Sequence, residues 1–99
     1  MATTKEYIEF VCDQIQGFGE VRYRKMFGEY MIYVNDKPIL LVCDNTVYIK
    51  KLDCLAELMK DAPIAIPYPG AKERYILDIE NHQLTKEIIS ILEPITPLP

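Results

Sequence analysis

Apolar residues change their spacing several times along this chain, and each change predicts an element. Ile8, Val11, Cys12 and Ile15 recur at steps of three and four, which places them on one side of a helix. Thr3 and Glu6 precede them at capping-box spacing, so Thr3 is expected to cap the helix. Gly17-Phe18-Gly19 then stops it. From Glu20 the period falls to two: Val21 and Tyr23 alternate with Arg22 and Arg24, a strand with one wet face. Phe27-Gly28 punctuates the chain as a turn before a second strand, Glu29 to Val34, rich in aromatic and β-branched residues. Asn35-Asp36-Lys37 reads as a tight turn, because Asn and Asp tolerate positive φ. Pro38 to Cys43 is the third strand, Asp44-Asn45 a second tight turn, and Thr46 to Lys50 the fourth strand.

Beyond the meander the pattern is more broken. Asp53 is placed to cap a short helix through Lys60, with Leu55, Leu58 and Met59 on one side. Ala62 to Pro69 is interrupted by proline and is at best an edge strand. Tyr68-Pro69-Gly70-Ala71 has Pro and Gly where a type II turn needs them. Arg74 to Ile79 alternates as a strand, with Tyr75, Leu77 and Ile79 set against Arg74, Ile76 and Asp78. Asn81 or Thr85 caps a last helix with a stripe of Leu84, Ile88, Ile91 and Leu92, and Pro94, Pro97 and Pro99 are expected to end it. Residues 1–93 then form one domain, and 94–99 a proline-rich, extended tail. Hairpin-linked strands between helices predict an α+β two-layer sandwich: an antiparallel sheet with helices, in the order helix, three or four strands, helix, one or two strands, helix.

The two central strands are apolar on both sides. Tyr30, Ile32 and Val34 point one way while Met31 and Tyr33 point the other, and Leu40 and Val42 oppose Ile39, Leu41 and Cys43. A strand of this kind is normally buried on both faces. One layer of helices covers one face, so a second cover is required. It is a twin subunit, a different protein, or the chain's own tail or helices. The candidate partner-binding residues are Met31, Tyr33, Ile39, Leu41 and Tyr48, with a homodimer as one form of the contact.

Length and charge narrow the functional classes. Ninety-nine residues make one domain with one core. The formal charge of −4 repels nucleic acid and anionic lipid in bulk, so direct nucleic-acid binding is disfavoured. No apolar run approaches the roughly 20 residues that span a bilayer, and no signal peptide is visible, so a cytoplasmic protein with no membrane contact is expected. Cys12, Cys43 and Cys54 are odd in number and lack CxxC spacing, as reduced buried thiols would be. Arg22, Arg24 and Lys25 flank Tyr23 and offer the one local nucleic-acid contact, against which stands a solvated strand face. His82 lies far from the cysteines, and the acidic residues are dispersed. No catalytic, cofactor-binding or metal-binding residue is predicted, and no enzyme. A pocket between helix and sheet that senses a small molecule stays open as a further alternative.

Arg24-Lys25-Met26-Phe27-Gly28-Glu29-Tyr30-Met31-Ile32-Tyr33-Val34 resembles the RxMFGGYGIYxDG signature of the N-terminal domain of the TfoX/Sxy competence regulators. Val47-Tyr48-Ile49-Lys50 is similar to that family's LYLK segment, and Tyr68-Pro69-Gly70-Ala71-Lys72 to the PYPGAK stretch of its short, single-domain members. Glu29 and Met31 stand where the family usually has glycine, which adds side chains to the strand. The family's second, helical half has no counterpart in these 99 residues. The resemblance implies a single TfoX N-terminal-like α+β domain over 1–93 without catalytic residues. It also implies a part in regulating transcription, by assisting a DNA-bound activator through protein contacts.

Overall fold

A computed structural model describes residues 3–26 and 29–99, so the turn expected at Phe27-Gly28 lies outside the described residues. Helix α1 spans Lys5–Gln14 and is capped by Thr4, whose hydroxyl accepts from the Tyr7 amide at 3.2 Å. The cap is thus one residue later than the capping-box spacing suggests. Thr3 is buried instead, with its hydroxyl 3.5 Å from the Val42 carbonyl and accepting from the Asn45 amide at 3.3 Å. These bonds tie the start of α1 to the turn after the third strand.

Strands β1 (Val21–Met26), β2 (Glu29–Val34), β3 (Lys37–Cys43) and β4 (Thr46–Lys50) form an antiparallel meander. The chemistry of its turns explains its register. Asn35 and Asp36 have φ of 53° and 66°, and Asp44 and Asn45 have 48° and 55°. Two central residues with positive φ suit a two-residue hairpin, whose twist matches that of the strands it joins. The entry into β1 is equally specific at Gly19. Its φ is 146°, and a Cβ there would meet Val34 Cγ1 at 2.8 Å, so no side chain fits.

After β4 the expected helix from Asp53 to Lys60 is only a 3-10 turn, Asp53–Leu55, preceded by Leu52 without a side-chain cap. Eight residues of mixed polarity give too little apolar stripe to propagate a helix whose nucleus is unfavourable. Leu55 and Met59 are still buried, as the spacing implies. β5 (Ile64–Ala65) is the expected edge strand, and β6 (Arg74–Ile76) inserts between it and β4, giving the order β1-β2-β3-β4-β6-β5. β6 is shorter than the alternation through Ile79 suggests, although Leu77 still donates to the Val47 carbonyl at 2.9 Å. The Tyr68–Ala71 turn closes with a 3.1 Å bond from the Ala71 amide to the Tyr68 carbonyl, with Gly70 at a φ of 87°.

Helix α2 runs from His82 to Ile95, capped by Asn81, which accepts from the Leu84 amide at 3.1 Å. Its inward face is Thr85, Ile88, Ile89 and Leu92, with Leu84 and Ile91 half-buried beside it. The helix continues past Pro94, contrary to the expectation that the proline ends it. A proline in the final turn forgoes one bond where the helix is about to stop anyway. The turn is held from outside, since Lys37 Nζ donates to the Glu93 carbonyl at 2.9 Å and lies 3.2 Å from its carboxylate. Thr96 closes it, with amide and hydroxyl both on the Leu92 carbonyl.

Both helices lie on one face of the sheet. Ile8, Val11 and Ile15 from the first helical segment and Ile88, Ile89 and Leu92 from α2 form one continuous core with Tyr30, Ile32, Val34, Leu40, Val42, Val47 and Ile49. The result is the two-layer α+β sandwich the sequence predicts.

Candidate functional site

The opposite face of the sheet holds a second, separate apolar cluster. Leu41, Cys43 and Tyr48 form its centre, with Met31, Ala65 and Ile76 packed around them, and it includes no residue of either helix. Strand pairing builds it row by row, because residues directly opposite on neighbouring strands share a face. Met31 pairs with Leu41, Leu41 with Tyr48, and Tyr48 with Ile76.

The cover on this face comes from side chains rather than from a helix. Leu41, Cys43 and Tyr48 are only 4%, 2% and 8% exposed, and Met31 and Ile76 are half-buried. Tyr33 is buried beneath Arg22, whose guanidinium lies 4.3 Å from the ring centroid. Arg22 also meets Asp36 at 2.9 Å, which fixes its charge over the ring. Arg24 pairs with Met31, and Lys50 pairs with Arg74, which in turn pairs with Ala65. Arg22, Arg24, Lys50 and Arg74 therefore rim the apolar centre. Long basic side chains shelter apolar surface with their stems while their charges stay in water.

Electrostatics agree with a dry centre. Burial, followed by the charge of Glu29 and a hydrogen bond to it, pushes the Cys43 thiol up to about 12 from an ordinary 9.0. The Tyr48 hydroxyl is raised as well, first by burial and then by Cys43 and Asp44. On the helix side, Cys12 is pushed up to about 11 by burial and by Asp13 and Glu9. Cys12 and Cys43 are thus neutral thiols at physiological pH, without the thiolate that nucleophilic or metal chemistry requires. His82 sits on the surface, 3.2 Å from Gln14 Oε1 and edge-on to Phe18. Among the described residues no three His, Cys, Asp or Glu side chains gather as metal ligands would.

Four of the five predicted partner-binding residues, Met31, Tyr33, Leu41 and Tyr48, lie on this face. Ile39 does not. The β2–β3 register shifts between Ile32 and Tyr33, so that Ile32 faces Leu40 while Tyr33 faces Pro38. Ile39 is the extra residue of that bulge and joins the helix-side core beside Leu40. The basic trio is also divided. Arg22 and Arg24 share the helix-free face, but Lys25 pairs with Tyr30, which belongs to the helix-side core. Cys43, Ala65 and Ile76 were not among the predicted contacts. Ile76 had one visible signal, being the apolar member of the otherwise polar set Arg74, Ile76 and Asp78.

Exposed apolar side chains also lie at the β5 edge, where Ile64 pairs with the helix-side Tyr75, and in the segment after it. Ile64 is 46% and Ile66 56% exposed, and Tyr68 is also exposed. No described helix is long and apolar enough to cross a membrane.

Comparison with known proteins places this geometry. The family model described as TfoX N-terminal domain matches residues 13–88. A protein of Spirochaeta aurantia, described as an uncharacterized 12.7 kDa protein in the trpE 5′ region, is 35% identical over 101 residues. The similarity covers all of this chain and 88% of that relative.

Proposed function

We propose, from the premise that this chain belongs to the TfoX N-terminal domain family, that it is a non-enzymatic regulatory module. It acts by docking another protein on the helix-free face of its sheet, in a role linked to transcriptional regulation. The observation that supports this reading is the second apolar cluster, which no helix of the chain shelters. Ala65 extends this cluster to β5, the edge strand of the sheet, where an apolar margin is of the kind that protein contacts use.

Charge selects the kind of partner. Arg22, Arg24, Lys50 and Arg74 surround the cluster; Asp36 neutralises Arg22, and Glu29 and Asp44 lie near Cys43, which leaves the rim positive on balance. Two copies stacked face to face would bring like charges together, whereas a partner with an apolar centre and acidic margin would be complementary. The proposed occupant is therefore a different, acidic-rimmed protein rather than a twin subunit. The Arg22, Arg24 and Lys25 contact with nucleic acid receives less support, because those three residues do not share a face.

Sedimentation velocity combined with capture from native lysate tests the reading. The chain is expected to sediment as a monomer, and a partner held by it is expected to be lost from Met31→Glu and Arg24→Glu chains that remain folded. A dimer broken by those substitutions would replace the acidic partner with a second copy. A partner retained by both variants would remove this face from the function.

A further inference from the structure

One end of the sheet concentrates more positive charge than the protein-docking reading uses: Lys50 and Arg74 belong to the rim of the docking face, whereas Lys51 and Lys72 do not. A groove of about 350 Å³ opens between the end of β4 and the start of β6, lined by Lys50, Lys51, Leu52, Lys72, Glu73 and Arg74. Four cations against one carboxylate give these residues a charge of +3, so the rest of a chain of net −4 carries −7. The ion pairs among the described residues use Arg22, Lys37 and Lys60, and none involves a cation of the groove. Gathering four like charges against a single carboxylate is unfavourable, and an anion seated among them offsets that cost.

The backbone holds the groove in shape. Arg74 is fixed between two strands, opposite Lys50 on one side and Ala65 on the other, and is half-buried. Lys51 leans on the buried ring of Tyr75, with its ammonium 6.0 Å from the centroid. The turn closed between Tyr68 and Ala71 delivers Lys72 back beside β4. One guanidinium offers a planar fork and three ammonium groups offer point charges, a donor set suited to phosphate oxygens. Leu52 is the one apolar wall, so the charged part of a ligand is what this site can recognise.

We infer that the groove binds a small phosphorylated molecule carrying at least two negative charges. Its volume holds a diphosphate-sized group with part of what that group is attached to. The surrounding −7 opposes a long polyanion running beyond the groove, which favours a small ligand over nucleic acid.

Titration of the full ¹⁵N-labelled chain with pyrophosphate tests the assignment. Saturable amide shifts are expected at Lys50–Leu52 and Lys72–Arg74. A Lys51→Glu/Lys72→Glu chain is expected to bind about tenfold more weakly or worse, and Lys72→Arg to bind about as well as the parent. Lys51 and Lys72 are exposed, and the same spectra report whether each variant is folded. Met31→Glu is expected to leave pyrophosphate binding unchanged, so failure of the groove and failure of the docking face are read separately. Absence of saturable shifts, or equal binding by the double charge reversal, would overturn the inference. So would a single-stranded DNA oligomer that binds the same residues more tightly than pyrophosphate, which would make the groove a nucleic-acid contact.

Discussion

The two faces of this sheet start from similar sequence and are sealed differently. On one, Ile32, Leu40, Val42 and Ile49 meet two amphipathic helices and lose all contact with water. On the other, Leu41, Cys43 and Tyr48 are nearly as buried, but among the side chains of Met31, Ala65 and Ile76, with no helix over them. Alternating apolar residues on both sides of a strand therefore report that both faces avoid water, not that both are packed against secondary structure. A cover of long side chains can be displaced by a docking protein, and a cover of helices cannot be removed without unfolding the domain.

The sharpest way to break this comparison is to delete matched side chains from the two faces. Ile32→Ala is expected to cost about 2–5 kcal/mol, since a cavity walled by two helices collapses poorly. Leu41→Ala is expected to cost about 1–2 kcal/mol, because the flexible side chains above it can settle into the space. Urea denaturation of both variants measures the difference, and equal losses would mean that the faces are packed alike.

Alkaline titration sharpens the picture of the sealed centre. In the unfolded chain a thiol ionises near 9.0, whereas folded Cys43 holds its proton to about 12. The folded state then keeps a proton that the unfolded state has released. Stability is fully present below pH 9 and declines as the pH rises towards 12. Cys12, Tyr7 and Tyr48 are raised too and act in the same direction. Cys43→Ala is expected to weaken the decline of the urea midpoint above pH 9 without abolishing it. A decline identical to that of the parent would show that water already reaches Cys43.

A smaller effect is expected within the helix-side core. Thr85 is fully buried, and its hydroxyl has no hydrogen-bond partner. Thr85→Val keeps the shape and removes the unsatisfied group, so thermal unfolding is expected to show a gain of up to about 1 kcal/mol. A loss would mean that the hydroxyl is satisfied by water in that core.

How much of this was legible in the sequence depends on how local each determinant is. β2, β4 and the Asn35-Asp36 and Asp44-Asn45 turns could be read residue by residue, because alternation and turn chemistry act over a few positions. The bulge that turns Ile39 inward leaves no trace in the apolar pattern, since both of its faces are apolar. The choice of Thr4 over Thr3 as cap was settled by Asn45, 41 residues away, whose side chain accepts from the Thr4 amide. The helix survives Pro94 because Lys37 grips its last turn, again a distant residue. The site divides in the same way. Met31, Leu41 and Tyr48 could be grouped from consecutive hairpins, whereas Ala65 and Ile76 join them only because β6 inserts between β4 and β5. That insertion also brings Lys72 and Arg74 to Lys50 and Lys51, a juxtaposition that no spacing in the chain reveals.

The central claim, that the helix-free face is where another protein docks, is most directly tested by amine cross-linking of the captured complex followed by mapping of the linked lysines. Lys50 lies on that face, while Lys5 and Lys86 belong to α1 and α2 on the other. Cross-links from the partner are expected at Lys50 and not at Lys5 or Lys86. Cross-links concentrated at Lys5 and Lys86, with Lys50 unmodified by the partner, would contradict the account.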